Sequence, residues 1–292
     1  MKLVGLMPVR NESWCLGLTA RVALQWCNDL VIFDHASTDA SIDIELDIAH
    51  EYAGRVTIIC ETNPLWDEMR HRQTMLETAR ARGATHIAII DADELLTGNL
   101  LGQIRNYMEL LPRMSILQLP GYNLRNSMMA YHSNGIWGDR WFSCGFVDDP
   151  ALHWAGDRFH SREPHGFQLR GINPVDQGYG GIMHLWGVSE RRLKAKHALY
   201  KITERLRWPQ KPVEEIDREY SWAIHGDSRN RAYGTPASWG YAKVPDSWWQ
   251  PYEGLLKHLD INSAPWQQGE CRRLIDEYGP EPFSRLDLFG VV

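Results

Sequence analysis

The chain has 292 residues, of which 43% are hydrophobic and 23% charged, and its formal net charge is −6. That size carries one large domain, or one domain with an appendage, and excludes a disulfide-stapled mini-protein. The acidic balance excludes a general binder of phosphate backbones. The opening run "MKLVGLMPVRNE" has too short an apolar stretch before Pro8 to read as a signal peptide or a membrane span. Five widely spaced cysteines (Cys15, Cys27, Cys60, Cys144, Cys271), without a CxxC pair, read as buried free thiols in a reducing, cytoplasmic compartment.

Four short apolar runs in the first third, Leu3 to Met7, Leu30 to Phe33, Val56 to Ile59 and Ile87 to Ile90, lack polar alternation and so predict strands buried on both faces. Helical spacing fills the intervals at Leu16 to Trp26, Ile42 to Tyr52 and Met69 to Ala81. Strand and helix in alternation predict an α/β fold, a mostly parallel doubly wound sheet. A helix over Leu100 to Leu111 and a further apolar run at Ile116 to Leu119 follow, after which residues 121 to 188 read as loops and short strands rich in Gly, Trp, His and Arg. From Ser189 the helical pattern returns at Ser189 to Leu206, Val213 to Ile224, Trp249 to His258 and Pro265 to Tyr278. The expected division is a larger domain over 1–208, with halves 1–112 and 113–208, and a helical C-terminal extension over 209–292.

Each of the first four strands ends in polar residues: Arg10, Asn11 and Glu12; "DHASTDAS" from Asp34; Glu61, Thr62 and Asn63; and "DADE" from Asp91 to Glu94. Ligands of open α/β sheets bind beyond the carboxyl ends of the strands, so the four clusters converge on one crevice. Asp91 and Asp93 repel each other unless a cation lies between them, and magnesium or manganese with oxygen ligands suits that place. The competing reading is a solvated acidic turn, with Asp93 and Glu94 capping a helix near Thr97. "STD" at Ser37 to Asp39 is read as a helix start with its own cap. Neither GxGxxG nor GxxxxGK[ST] occurs, which argues against a Rossmann dehydrogenase or a P-loop NTPase.

"PVRNE" (Pro8 to Glu12), "DLVIFDHASTDAS" (Asp29 to Ser41) and "RQTMLETARARGATHIAIIDADE" (Arg72 to Glu94), in that order, resemble the nucleotide-sugar half of family 2 glycosyltransferases with the GT-A fold. The likeness is closest to the Asp-Ala-Asp-Glu branch, which includes lipopolysaccharide-core glucosyltransferases. It implies a nucleotide diphosphate sugar donor, a UDP-sugar first, with Pro8, Val9, Asn11 and Glu12 at the base site and Asp34 on the base and ribose. Arg72 would orient the carboxylates or the diphosphate, Asp91 would serve ribose or metal, and Asp93 would bind Mn2+ or Mg2+.

Downstream, "DRWFS", "FHSREP" and "IMHLWGVSERRLKAKHALY" are similar to later segments of the family. On that likeness His184 would complete the metal's coordination, and Lys194, with Arg192 and Lys196, would neutralise the leaving diphosphate. Glu163 is the first candidate for the base that inversion needs, Asp157 the second, with Asp148 and Asp149 behind. Thirteen tryptophans, most of them after residue 136, serve packing first, while Trp137, Trp141, Trp154 and Trp186 are candidates for stacking on an acceptor. The acceptor is expected to be a glycan or lipid-linked glycan; arginines 158, 162, 170, 191 and 192 keep a nucleic acid acceptor open. A sugar-nucleotide nucleotidyltransferase and a non-catalytic carbohydrate-binding protein remain as alternatives, and the tail from about residue 209 is expected to pack on the catalytic domain, shape the acceptor cleft or form a homodimer.

Overall fold

The computed structural model describes residues 1–138, 140–156, 162–166, 170–225 and 239–292. Two compact units emerge: Met1–Gly121, Trp141–Met183 and Pro245–Asp260 make the first, and Tyr122–Arg140, His184–Val244 and Ile261–Val292 the second.

The first unit begins with β1 (Leu3–Val9), α1 (Leu16–Trp26), β2 (Asp29–His35), α2 (Ser41–Glu51), β3 (Val56–Glu61), α3 (Glu68–Ala81) and β4 (His86–Ile89). β1 pairs in parallel with β2, from Val4↔Asp29 to Val9↔Asp34, and with β4, from Leu3↔His86 to Leu6↔Ile89. β3 pairs in parallel with β2 from Leu30↔Val56 to His35↔Glu61. The expected parallel α/β sheet is therefore present, with the polar strand ends side by side. Its strands alternate between two cores. Leu3, Met7, Val9, Leu30 and Ile32 pack with α1 residues such as Leu16 and Ala20, while Val4, Leu6, Val31, Phe33, Ile87 and Ile89 pack with Met75, Leu76 and Ala79 of α3. β3 departs from expectation: an edge strand has no neighbour on its far side, and its residues are half-buried, with Cys60 exposed.

β5 (Glu94–Leu96), α4 (Ile104–Glu109) and β6 (Ser115–Arg125) come next, so the helix expected over Leu100 to Leu111 shrinks to one and a half turns after a 3-10 turn at Gly98–Leu100. β6 is far longer than its apolar run, because "PGYNLR" continues the strand past Leu119 into the second unit. β7 (Ala130–His132) and α5 (Gly135–Gly138) belong to the second unit. β8 (Arg140–Val147) runs antiparallel to β4, from His86↔Val147 to Ala88↔Gly145. At Gly145 a Cβ would meet the Ile87 carbonyl oxygen at 2.8 Å, which explains the glycine. β9 (Arg170–Ile172) pairs in parallel with the start of β6.

β10 (Ile182–Gly187) leads into the second unit, where α6 (Glu190–Arg207) and α7 (Val213–His225) follow. β11 (Tyr241–Lys243) pairs antiparallel with β7. α8 (Asp246–Trp249) returns to the first unit and passes into a 3-10 helix over Gln250–His258, in place of the expected helix over Trp249 to His258. Pro251, without an N–H, stands at the start of that tighter stretch. Its Tyr252 is fully buried and donates its hydroxyl to the Leu96 carbonyl at 2.9 Å. α9 (Trp266–Tyr278) closes the second unit. In the second unit Ala195, Ala198 and Ile202 of α6 share a core with Val213 and Ile216 of α7 and Cys271 and Leu274 of α9.

Lys201 on α6 is 0% exposed in that unit, and its ammonium reaches Asp217 at 2.8 Å, Ser221 at 2.8 Å and the Asp287 carbonyl at 2.7 Å. Burial lowers its pKa, opposed by Asp217. Removing one member of such a pair strands the rest, so Lys201→Ala is expected to lower stability by roughly 3 kcal/mol in urea unfolding. A change under about 0.5 kcal/mol would be surface behaviour and would contradict this packing.

Candidate functional site at the carboxyl ends of β1, β2 and β4

The chain leaves β1 through Asn11, which adopts φ 56° and is 3% exposed. Its Oδ1 accepts the backbone N–H groups of Thr38 at 2.6 Å and Asp39 at 3.1 Å, while its own N–H donates to Ser37 Oγ. Asp39 Oδ1 then accepts the N–H of Ser41, the first residue of α2. The cap foreseen at Ser37 to Asp39 is not there: α2 starts at Ser41 behind Ala40, which makes no side-chain cap bond, and Asn11 braces the loop before the helix across 27 residues of sequence. Glu12 receives the Trp14 indole N–H at 2.6 Å, and its backbone N–H donates to Ser41 Oγ. Pro8 and Val9 are strand residues, Val9 paired with Asp34 and 2% exposed. Asp34 itself is 2% exposed, with Oδ1 on the Ser37 N–H at 2.9 Å. It therefore forms the floor of this loop system.

At the end of β4, the Glu94 N–H returns to the Asp91 carbonyl at 3.0 Å, and α1 grips the turn from beneath, with Thr19 Oγ1 and Cys15 Sγ donating to the Ala92 carbonyl. The four residues consequently form a tight turn. Arg162 holds its charge: one guanidinium nitrogen donates to Asp91 Oδ2 and Glu94 Oε1, both at 2.7 Å, and another to Glu94 Oε2 at 2.8 Å. Burial works against the charged guanidinium, yet Asp91 and Glu94 more than offset it and raise the Arg162 pKa above its ordinary value. Arg72 approaches from α3, bonded to Glu68 at 2.9 Å and to Asp91 Oδ1 at 3.4 Å, an orienting contact on the expected carboxylate. Glu94 does not cap a helix: it begins β5, with its side chain only 4% exposed in the pair with Arg162. Asp93 is 8% exposed, while the Asp91 side chain is 31% exposed.

Sequence reading also passed over a ring cluster at the ends of β2 and β3. Arg10 reaches His35 Nδ1 at 3.3 Å and the Pro64 carbonyl at 2.9 Å, and His35 Nε2 lies 3.1 Å from the Leu65 carbonyl. His71 stacks on Phe33 at 4.5 Å, and the half-exposed Trp66 packs edge-on against both histidines. Burial, then the neighbouring His35 and Arg70, push the His71 pKa down to about 4, and burial with Arg10 lowers that of His35. Both rings are neutral at pH 7 and pin the loop from residue 62 to 67 without repulsion.

Glu163 lies in the first unit, its Oε1 accepting the Ser143 hydroxyl at 2.5 Å beside the residue that holds Asp91. Asp157 lies outside the described residues. Asp148 and Asp149 sit at the opposite edge of the sheet, because β8 is antiparallel and Val147 pairs with the first residue of β4. There Arg80 binds Asp148 at 2.9 Å and Arg113 binds Asp149 at 2.5 Å, which removes both as base candidates. Trp154 is core, packed with Phe146, whereas Trp141 on β8 is 38% exposed.

The remaining candidates belong to the second unit. His184 Nδ1 is 2.9 Å from Asn123 Oδ1, which also accepts the Trp186 indole N–H at 2.9 Å. An indole N–H can only donate, so the amide oxygen is fixed and His184 donates to it from Nδ1. Trp137 and Trp186 pack against each other at 4.8 Å in this cluster. Lys194 pairs with Glu190 at 2.6 Å and lines a cavity of about 390 Å³ with Arg191, Gln268 and Phe289. Arg192 is buried and donates to the Ser263 carbonyl at 2.8 Å, a structural use.

Among the described residues no group of three or more His, Cys, Asp or Glu side chains gathers in a form that could hold a metal ion. Carboxylate oxygens such as those of Asp91 and Asp93 are the donor type a hard divalent cation takes, and the Asp91 side chain is 31% exposed. No helix is long and apolar enough to cross a membrane among the described residues.

No family model matches the sequence, and no curated protein matches it. Among solved structures, S. aureus TarS 1–349 is similar with a TM-score of 0.45 at 9% identity, over 79% of this chain and 77% of that one. The mannosyltransferase PcManGT from Pyrobaculum calidifontis, in complex with GDP-Man and Mn2+, gives 0.40 at 15% identity, over 97% and 88%. GalNAc-T7 with UDP, GalNAc and Mn2+ gives 0.36 at 12% identity, over 81% and 58%. Values this low assign no activity to this chain.

The salt bridge at the turn has a direct test. Arg162→Ala leaves Glu94 buried without its cation and is expected to cost roughly 3–5 kcal/mol in chemical denaturation, with more than half restored in the double variant Arg162→Ala, Glu94→Gln. A single-variant loss under about 1 kcal/mol would contradict the arrangement.

Proposed function

We propose that the chain is a GT-A glycosyltransferase of the family 2 kind, moving a sugar from a nucleotide diphosphate sugar, a UDP-sugar first, to an acceptor hydroxyl with inversion. The observation that carries this reading is the tight Asp91–Glu94 turn at the carboxyl end of β4, on the same sheet edge as the Asn11 and Asp34 loops. Ligands of open parallel sheets lie beyond the carboxyl ends of the strands, which supports a nucleotide across β1 and β2 with its diphosphate toward β4.

In this reading the Asn11 and Asp34 loops form the seat of the base and ribose, and Glu12 flanks it. Asp93, with Asp91, holds Mn2+ or Mg2+, which when bound supplies charge stabilisation to the diphosphate. Arg72 keeps Asp91 in place, and Arg162 neutralises Asp91 and Glu94 while no donor is present. Glu163, held by Ser143, takes the proton from the acceptor hydroxyl. Trp141 offers an exposed ring on which an acceptor sugar can stack. Four buried thiols and one exposed thiol, all free, suit a cytoplasmic protein.

A thermal-shift screen of UDP-, GDP-, CMP- and dTDP-sugars with manganese names the donor by a selective rise in melting temperature. Asp93→Ala is expected to keep the fold and to lose transfer or donor hydrolysis by at least about a hundredfold. Full activity in a folded Asp93→Ala protein would remove the cation from the account.

A further inference from the structure

α2 buries Ser41, Glu45 and Ile48, the i, i+4, i+7 face, while Leu46 is left 57% exposed. A carboxyl thus occupies the centre of the helix's inward face, at 0% exposure. Neither Glu45 oxygen has a conventional hydrogen-bond partner, nor does Asp34 Oδ2, and all three atoms are shut off from solvent. The Glu45 and Asp34 carboxyls are nonetheless within hydrogen-bonding reach of each other. Two buried carboxylates in contact, each lacking a donor, are not sustainable as a pair of anions. One proton between them satisfies both.

The groups around Glu45 offer no other remedy. β2 presents Asp34, the following loop Asp39, and the neighbouring strand β3 the thiol of Cys60, whose pKa is itself raised by burial, Glu45 and Asp34. α1 packs along α2 but offers Arg21, which is engaged with Glu51 nearer the helix end. Burial first, then Asp34, raises the Glu45 pKa to about 8.

We propose that Glu45 is protonated at neutral pH and is a positioning residue: it donates a hydrogen bond to Asp34 Oδ2, and so holds the floor of the base-binding loops. Asp34 Oδ1 takes the Ser37 N–H, and Ser37 in turn receives the Asn11 N–H, so the proton on Glu45 reaches the seat through two hydrogen bonds. The use made of that seat rests on the donor-binding reading above; the shared proton does not.

The sign of the pH effect follows. Folded Glu45 keeps a proton that the unfolded chain releases at its ordinary pKa of 4.5, so its contribution to stability is complete below that value and is lost as pH rises toward about 8. One retained proton weakens the folding equilibrium by up to about tenfold per pH unit across that window. Glu45→Gln keeps a neutral donor of the same shape and does not titrate. The full chain is compared as wild type, Glu45→Gln and Glu45→Ala, by urea unfolding at pH 5.5 and 7.5 and by calorimetric titration with UDP and manganese at pH 7.0 and 8.8. The expected result is a wild-type folding constant that falls about a hundredfold relative to Glu45→Gln between pH 5.5 and 7.5. UDP affinity is expected to fall about tenfold in wild type at pH 8.8 and in Glu45→Ala at both values, and to hold in Glu45→Gln, whose uracil chemistry is the same. Parallel stability profiles for wild type and Glu45→Gln would overturn the shared proton. The stability effect without any change in UDP affinity would overturn the positioning role. Wild-type protein that binds no UDP at either pH would count against the donor reading, and the stability profiles would then judge the proton by themselves.

Discussion

Burial of β1, β2 and β4 on both faces is the constraint from which the rest follows. With one core on the α1 side and another on the α3 side, a charged side chain within these strands would face hydrocarbon in either direction. Charge is admitted only where the strands end, and parallel pairing brings those ends to one edge. Asn11, Asp34 and the Asp91–Glu94 turn are neighbours for that reason, although 80 residues separate the first from the last. An edge rich in carboxylates is the product of the sheet's topology before any ligand enters.

Such an edge must then manage its own repulsion, and the molecule does so in three different ways. A guanidinium lies between Asp91 and Glu94, a proton is assigned to Glu45 against Asp34, and backbone N–H groups of the loop after β2 surround Asn11 and Asp39. These differ in how readily they yield. Backbone hydrogen bonds fix the shape of the loop, whereas the ion pair reaches Asp91 at a side chain that is 31% exposed. The edge is thus held from beneath by backbone and open to solvent at Asp91, a property that the proposed binding of a metal-linked diphosphate would use.

The fold of the first hundred residues was legible because its signals are local: unbroken apolar runs for strands buried on both faces, helical spacing between them, and polar clusters at each run's end. β3 misread because an apolar run does not reveal which strand lies at an edge. β6 was underestimated because Pro120 and Gly121 look like a stop, yet the chain continues as strand to Arg125. At the site, Arg72 lies 3.4 Å from Asp91. Arg162 was missed as their partner because its contacts lie 68 to 71 positions away, a distance at which pattern carries no information. Glu45 was hidden differently: in "SIDIELDIAHE" the apolar residues alternate by two, and only the helical turn reveals that the glutamate, not Leu46, points inward.

A crystal structure of the complex with UDP and manganese, phased to show the metal by its anomalous signal, tests the central claim most directly. The account predicts manganese about 2.1 Å from an Asp93 carboxylate oxygen, the uracil seated over the Asn11 and Asp34 loops, and Arg162 drawn off Asp91. Manganese bound elsewhere, or UDP seated away from the carboxyl ends of β1 and β2 with the Arg162 to Asp91 pair intact, would contradict it.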